Sequence, residues 1–143
     1  MIISFDLDDT LIPSTRTFSV EKQNWLLKVM RSEKIRKGTI QLFTELKNDG
    51  HQIYIYTTSF RERWKVLLMF RLYGIPIDRF ISQDHHTKEA RMHGHTCSKY
   101  PPAFGIDVHV DDSDGVSIEG ERHNFRTIII KDTDPDWTLT VRA

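Results

Sequence analysis

One cysteine, Cys97, is all this chain has, so no disulfide can form within it, and a reducing compartment suits it. Net charge is also missing: Lys plus Arg and Asp plus Glu each number 20 in 143 residues. No overall field therefore draws the chain to nucleic acid or to an anionic membrane surface. The longest apolar runs fall far short of the roughly 20 residues that a membrane span needs. Met1 to Asp6 lacks the charged start and long apolar core of a secretory signal. Repeats and low-complexity linkers are absent too. These gaps leave the expectation of a soluble, cytoplasmic chain in which residues 1–143 form a single domain.

The pattern that is present alternates strands with helices. Ile2 to Phe5 reads as a short buried strand, and Leu11 to Ser19, with Pro13, as a loop. Glu21 to Met30 predicts a helix with Trp25, Leu26, Val29 and Met30 on one face. Gly38 precedes a second helix, Thr39 to Asp49, stopped by Gly50. Gln52 to Tyr56 is a strand ending in Thr57-Thr58-Ser59. Ser59 is placed to cap a helix from Phe60 to Tyr73, closed by Gly74. Phe80 to Ser82, Asp107 to Val110 and Phe125 to Ile130 predict further strands. Asp134-Pro135 looks like the start of a short closing segment through Trp137. Residues 83–103 carry no clear element. Strand–helix alternation of this kind argues for an α/β, Rossmann-like fold, a central parallel sheet with helices on both faces.

In open α/β sheets, ligands bind outside the carboxyl ends of the strands. The first strand there delivers Asp6, Asp8 and Thr10, the second Thr57 and Thr58, and a later one Asp111 and Asp112. Crowded carboxylates repel one another and resist ionising unless a positive charge sits among them. An oxygen-only set from separate strands suits Mg²⁺.

These segments resemble the motifs of the haloacid dehalogenase-like hydrolase superfamily. Asp6-Leu7-Asp8-Asp9-Thr10 is similar to its first motif, Ile53 to Thr57 to its second, and Val108 to Asp112 to its acidic fourth. Lys99 or Lys88 fills the place of its third-motif lysine. The resemblance implies a Mg²⁺-dependent phosphatase working through an aspartyl-phosphate. Asp6 would be the nucleophile and Asp8 the general acid and base. Thr57 would bond a phosphoryl oxygen, and the lysine would neutralise charge. Asp6, Asp8 through its backbone carbonyl, Asp111 and Asp112 would hold the metal. Thr10, Thr58 and Arg61 stand beside them as candidate substrate-binding residues. Where the family often has Gly, this chain has Asp9.

Other readings of the same residues are blander. Asp111-Asp112-Ser113-Asp114-Gly115 alone would be an acidic turn. His85, His86, His93, His95 and Cys97 suggest zinc only if His-x-His-x-Cys lies on a strand, and no strand signal supports that, so a polar loop is expected. Trp25, Trp64 and Trp137 are expected in the core or in helix packing. A non-catalytic or regulatory Mg²⁺-binding phosphoacceptor module on the same fold is the rival function. A receiver-like module would carry its acceptor Asp on a middle strand, where this chain has Thr57. Neither Leu11 to Gln52 nor Thr58 to Lys99 has room for a full cap domain. That predicts an open site and a phosphorylated partner that is a protein or other macromolecule. No strong nucleic-acid signal and no membrane signal accompany it, and an oligomer is compatible with the sequence.

Overall fold

The computed structural model describes residues 1–82, 84 and 99–142. Five parallel strands form one sheet: β1 (Ile2–Phe5), β2 (Gln52–Tyr56), β3 (Arg79–Ile81), β4 (Val108–Asp111) and β5 (Thr127–Ile129). Their order is β3-β2-β1-β4-β5, so β1 lies between β2 and β4. Chain order runs outward from β1 on one side and then restarts at β4 on the other. The carboxyl ends of β1 and β4 therefore meet where the winding reverses. Ile3 pairs with both Ile53 and Val108, and Phe5 with Ile55 and Val110.

That register puts Ile3, Phe5, Ile53, Ile55, Val108 and Val110 on one face. Helices α2 (Thr39–Asn48) and α3 (Arg63–Leu72) cover it with Leu42, Phe43, Val66 and Phe70, all buried. Phe5 and Phe43 have ring centroids 4.6 Å apart. The other face carries a smaller cluster of Tyr56, Ile81, Phe104 and Ile106, closed by a 3₁₀ turn at Pro101–Phe104. Helix α4 (Asp114–His123) follows β4 and packs on β5, and α5 (Trp137–Arg142) closes the described chain. The fold is the expected α/β arrangement with a central parallel sheet, and among the described residues no cap domain interrupts it. None of these helices is long and apolar enough to cross a membrane.

Several local expectations are corrected. The first helix, α1, is only Trp25–Val29, capped by the Asn24 side chain on the Leu27 amide. Leu27 is the residue it buries, while Trp25, Val29 and Met30 are exposed. The apolar spacing misled because the residues before it are held elsewhere: Gln23 donates to the Ser32 carbonyl and Val20 bridges to Arg36. Ser59 does not cap α3, which starts at Arg63; its hydroxyl instead receives bonds from Thr57 and Arg61. Trp64 is exposed, so of the three tryptophans only Trp137 lies in the core. Helix α4 is new. Gly115, Ser117 and Gly120 weaken its helical signal, yet a Cβ on Gly120 would meet the Phe125 carbonyl oxygen at 2.8 Å, so β5 packs close only because glycine stands there. The stretch from His85 to Cys97, with Lys88 in it, lies outside the described residues.

Candidate active site

Asp6 follows β1, and its backbone amide donates to the Val110 carbonyl at 2.9 Å, extending the ladder by one residue. This bond sets Asp6 beside Asp111, the last residue of β4. Lys99 joins them, its Nζ lying 2.7 Å from Asp6 Oδ1 and 2.6 Å from Asp111 Oδ2. All three side chains are almost entirely buried. Thr10 Oγ1 lies 3.3 Å from Asp6 Oδ2 and 3.1 Å from Asp112 Oδ1, so its hydroxyl sits between two carboxylates. Carboxylate oxygens of Asp6, Asp111 and Asp112 lie within 4.8 Å of one another.

Three carboxylates against one close ammonium leave an excess of negative charge, and the carboxyl groups respond unequally. Burial raises the Asp6 carboxyl to about 6, against the pull of Lys99 and with the push of Asp111. Asp112 is raised as well, by burial and by Asp111. Asp111 absorbs the same burial yet ends far below the usual carboxylate range, because His109 and Lys99 bond it. Lys99 stays raised despite complete burial, through Asp6 and Asp111. A hard divalent cation fits this all-oxygen set and would relieve the repulsion.

Behind the carboxylates runs a chain that the sequence reading missed. Ser4 Oγ lies 2.6 Å from His109 Nδ1, and His109 Nε2 lies 3.0 Å from Asp111 Oδ2. Burial, with Lys99 nearby, pushes His109 down to about 4, so the ring is neutral at neutral pH. Its ring nitrogen then donates to the Asp111 carboxylate. The signal existed in the sequence: residues two apart on a strand share a face, and His109 precedes Asp111 by two.

Asp8 stands apart from the carboxylate group. Its Oδ1 accepts from Arg61 Nη2 at 2.8 Å, while Arg61 Nε donates to Glu33 Oε2 at 2.8 Å. Arg61 Nη1 also reaches Ser59 Oγ at 2.9 Å, and Thr57 Oγ1 donates to the same hydroxyl at 3.0 Å. Thr57, fully buried at the end of β2, is thus linked to Asp8 through Ser59 and Arg61. Thr58 is half-buried next to it. Glu33 went unnoticed in the sequence because it lies far from any strand end.

The loop after β1 is tightly wound. Leu7's carbonyl accepts from the amides of Thr10, Leu11 and Ile12. Asp9 has a φ of 60°, the left-handed region that favours glycine. Its carboxylate compensates by accepting from the Ser14 and Arg16 amides and the Thr15 hydroxyl. Arg36, buried under Phe18 and Trp137, ties this loop down by donating to the carbonyls of Thr10, Lys131 and Asp134.

No family model and no curated protein matches the sequence. Solved structures do match its fold. A Pnkp1/Rnl/Hen1 RNA repair complex aligns at TM-score 0.57 with 13% identity, over 93% of this chain and 43% of that one. A second Pnkp1/Rnl/Hen1 complex aligns at TM-score 0.59 with 12% identity, over 93% of this chain and 46% of that one. The chain thus spans less than half of those two. A predicted HAD-like family hydrolase from Porphyromonas gingivalis aligns at TM-score 0.51 with 11% identity, over 99% of this chain and 98% of that one. The five-strand order, the reversal between β1 and β4 and these alignments agree: the chain has the haloacid dehalogenase-like fold.

Proposed function

We propose that residues 1–143 form one domain that hydrolyses phosphoric monoesters through a phosphoaspartate on Asp6. The observation that carries this reading is the Asp6 carboxylate at the sheet's reversal point, with Lys99 Nζ 2.7 Å away and two further carboxylates beside it. Asp6 attacks phosphorus, and the bond from phosphorus to the ester oxygen breaks as Asp8 gives that oxygen a proton. Water then attacks phosphorus, Asp8 takes its proton, and the acyl phosphate opens to regenerate the Asp6 carboxylate. Lys99 offsets charge on nucleophile and phosphoryl oxygens, Thr57 and Thr58 offer hydroxyls at the end of β2, and Arg61 holds Asp8 in place. Asp6, Asp111 and Asp112, with the Asp8 carbonyl, are the residues that would hold Mg²⁺, whose charge would offset that of the phosphoryl oxygens.

The fold lacks a cap among its described residues, and Asp8 and Arg61 border solvent. An uncapped mouth contacts little of a small molecule, so a phosphate carried by a macromolecule suits it better. One of the solved structures sharing the fold is of an RNA repair complex, which fits this preference. The lone cysteine supports a cytoplasmic setting. Phosphate release from an aryl phosphate, titrated with Mg²⁺ and repeated after chelation, tests the reading. Turnover that needs the cation supports it, and no release at any Mg²⁺ concentration would favour the non-catalytic module.

A further inference from the structure

The segment that follows α1 and helix α3, with the loop before it, leave between them a groove of about 440 Å³. Met30, Phe60, Trp64 and Met69 form its apolar walls, and Arg61 and Glu33 close one end. Phe60 is 88% exposed, Trp64 60% and Met30 46%, so a contiguous run of large apolar side chains faces outward here. A second hollow adjoins it, sharing Phe60 and Arg61 and adding Arg63. Phe60 is therefore a ridge with a hollow on either side.

The groove leads to the candidate site through one residue. Arg61 lines it and bonds Asp8. A general acid touches the leaving oxygen, so what that oxygen carries starts beside Asp8 and Arg61, and Arg61 is also a wall of this groove. This step rests on the phosphatase reading above.

Charge narrows the occupant. The two acidic residues in the groove are already paired, Glu33 with Arg61 and Glu62 with Lys65 and the Trp64 ring nitrogen. Arg31 and Arg63 are exposed and in no ion pair among the described residues. The groove and the adjoining hollow are lined by Arg31, Arg61, Arg63 and Lys65 against Glu33, Glu62 and Asp84. Two exposed arginines thus line the same two hollows as two exposed aromatic rings. Flat apolar surfaces interleaved with free cations match stacked bases joined by phosphates. A neutral or basic peptide would match the apolar half only.

We propose that this groove takes the terminal nucleotides of a single-stranded nucleic acid, with bases stacked on Phe60 and Trp64 and its end phosphate delivered to Asp6. Arg31 and Arg63 meet the backbone phosphates.

Fluorescence anisotropy of the full chain tests this, using a single-stranded octanucleotide with a terminal phosphate and a dye at its other end. Chelator is added to prevent turnover. Trp64→Ala and Phe60→Ala should each weaken binding about ten-fold without lowering the melting temperature. Arg63→Glu should weaken it and flatten its salt dependence. A tyrosine-phosphorylated peptide should bind more weakly than the strand. Equal strand affinity in Trp64→Ala, tighter binding of the peptide, or a dimer that Trp64→Ala dissociates would each overturn the proposal. Aryl phosphate hydrolysis without strand binding defeats this inference and leaves the phosphatase reading intact. Strand binding without hydrolysis does the reverse.

Discussion

Arg61 Nη2 lies 2.8 Å from Asp8 Oδ1, two side chains brought together from the loops after β2 and β1. Glu33 accepts from Nε and from the same Nη2, and Ser59 accepts from Nη1, so all three nitrogens of the guanidinium are held. The pair lies at the mouth of the site, where such ion pairs contribute only about 0–1 kcal/mol to stability. Its consequence is for positioning. Arg61→Ala should leave the melting temperature nearly unchanged and lower kcat/KM roughly ten- to a hundred-fold. A thermal melt beside phosphate-release kinetics checks it; a large loss of stability with normal kinetics would make Arg61 structural.

Asp8→Asn is expected to differ in kind from a change at the metal-binding carboxylates. Turnover should fall by about 10² or more, most on substrates with poor leaving groups, as loss of a general acid demands. Apparent affinity for Mg²⁺ should stay near that of the parent, because the Asp8 carboxylate is not in the carboxylate group. The same loss on good and poor leaving groups would remove Asp8 from the acid role.

Asp111→Asn and Asp112→Asn should instead raise the Mg²⁺ concentration needed for half-maximal activity, with partial rescue at high Mg²⁺. Isothermal titration with Mg²⁺ gives an independent readout. An unchanged cation dependence in both variants would move the metal away from this group.

The buried groups also give a pH signature in the absence of divalent cations. Asp6 is raised from 3.8 to about 6, so its contribution to stability is present below pH 3.8 and is lost as pH rises toward 6. His109 is lowered from 6.5 to about 4, so its contribution is present above pH 6.5 and is lost as pH falls toward 4. The two slopes oppose each other over nearly the same interval. Asp6→Asn removes the first, so its melting temperature should rise with pH between about 4 and 6.5 more steeply than that of the parent. His109→Leu should show the reverse difference. It should also be destabilised by about 1–3 kcal/mol, because Ser4 and Asp111 each lose a buried partner. Parallel melting curves for parent and variants would contradict both assignments.

The site was legible where strands end in chemistry. Asp6, Thr57 and Asp111 each follow a run of β-branched and aromatic residues, and a parallel sheet gathers such ends at one edge. Lys99 had no such signal of its own. It lies in a stretch without periodicity, and only the resemblance offered it a place beside Asp6. Arg61 and Glu33 meet through tertiary packing that no local pattern encodes. The misread elements have physical reasons too. Trp25, Val29 and Met30 have the spacing of a buried helix face, but Trp25 and Val29 are exposed and Met30 lines a groove instead. Ser59 has a capping residue's identity, yet Arg61 and Thr57 compete for its hydroxyl. Helix α4 was hidden by glycines that its close packing on β5 requires.

Trapping the phosphoryl group on Asp6 tests the proposed nucleophile directly. The protein, turning over a radiolabelled aryl phosphate with Mg²⁺, is quenched in acid and cut into peptides. Hydroxylamine-sensitive label is expected on the peptide containing Asp6, with neither label nor turnover in Asp6→Asn. Label on a different residue, or full turnover by Asp6→Asn, would contradict it.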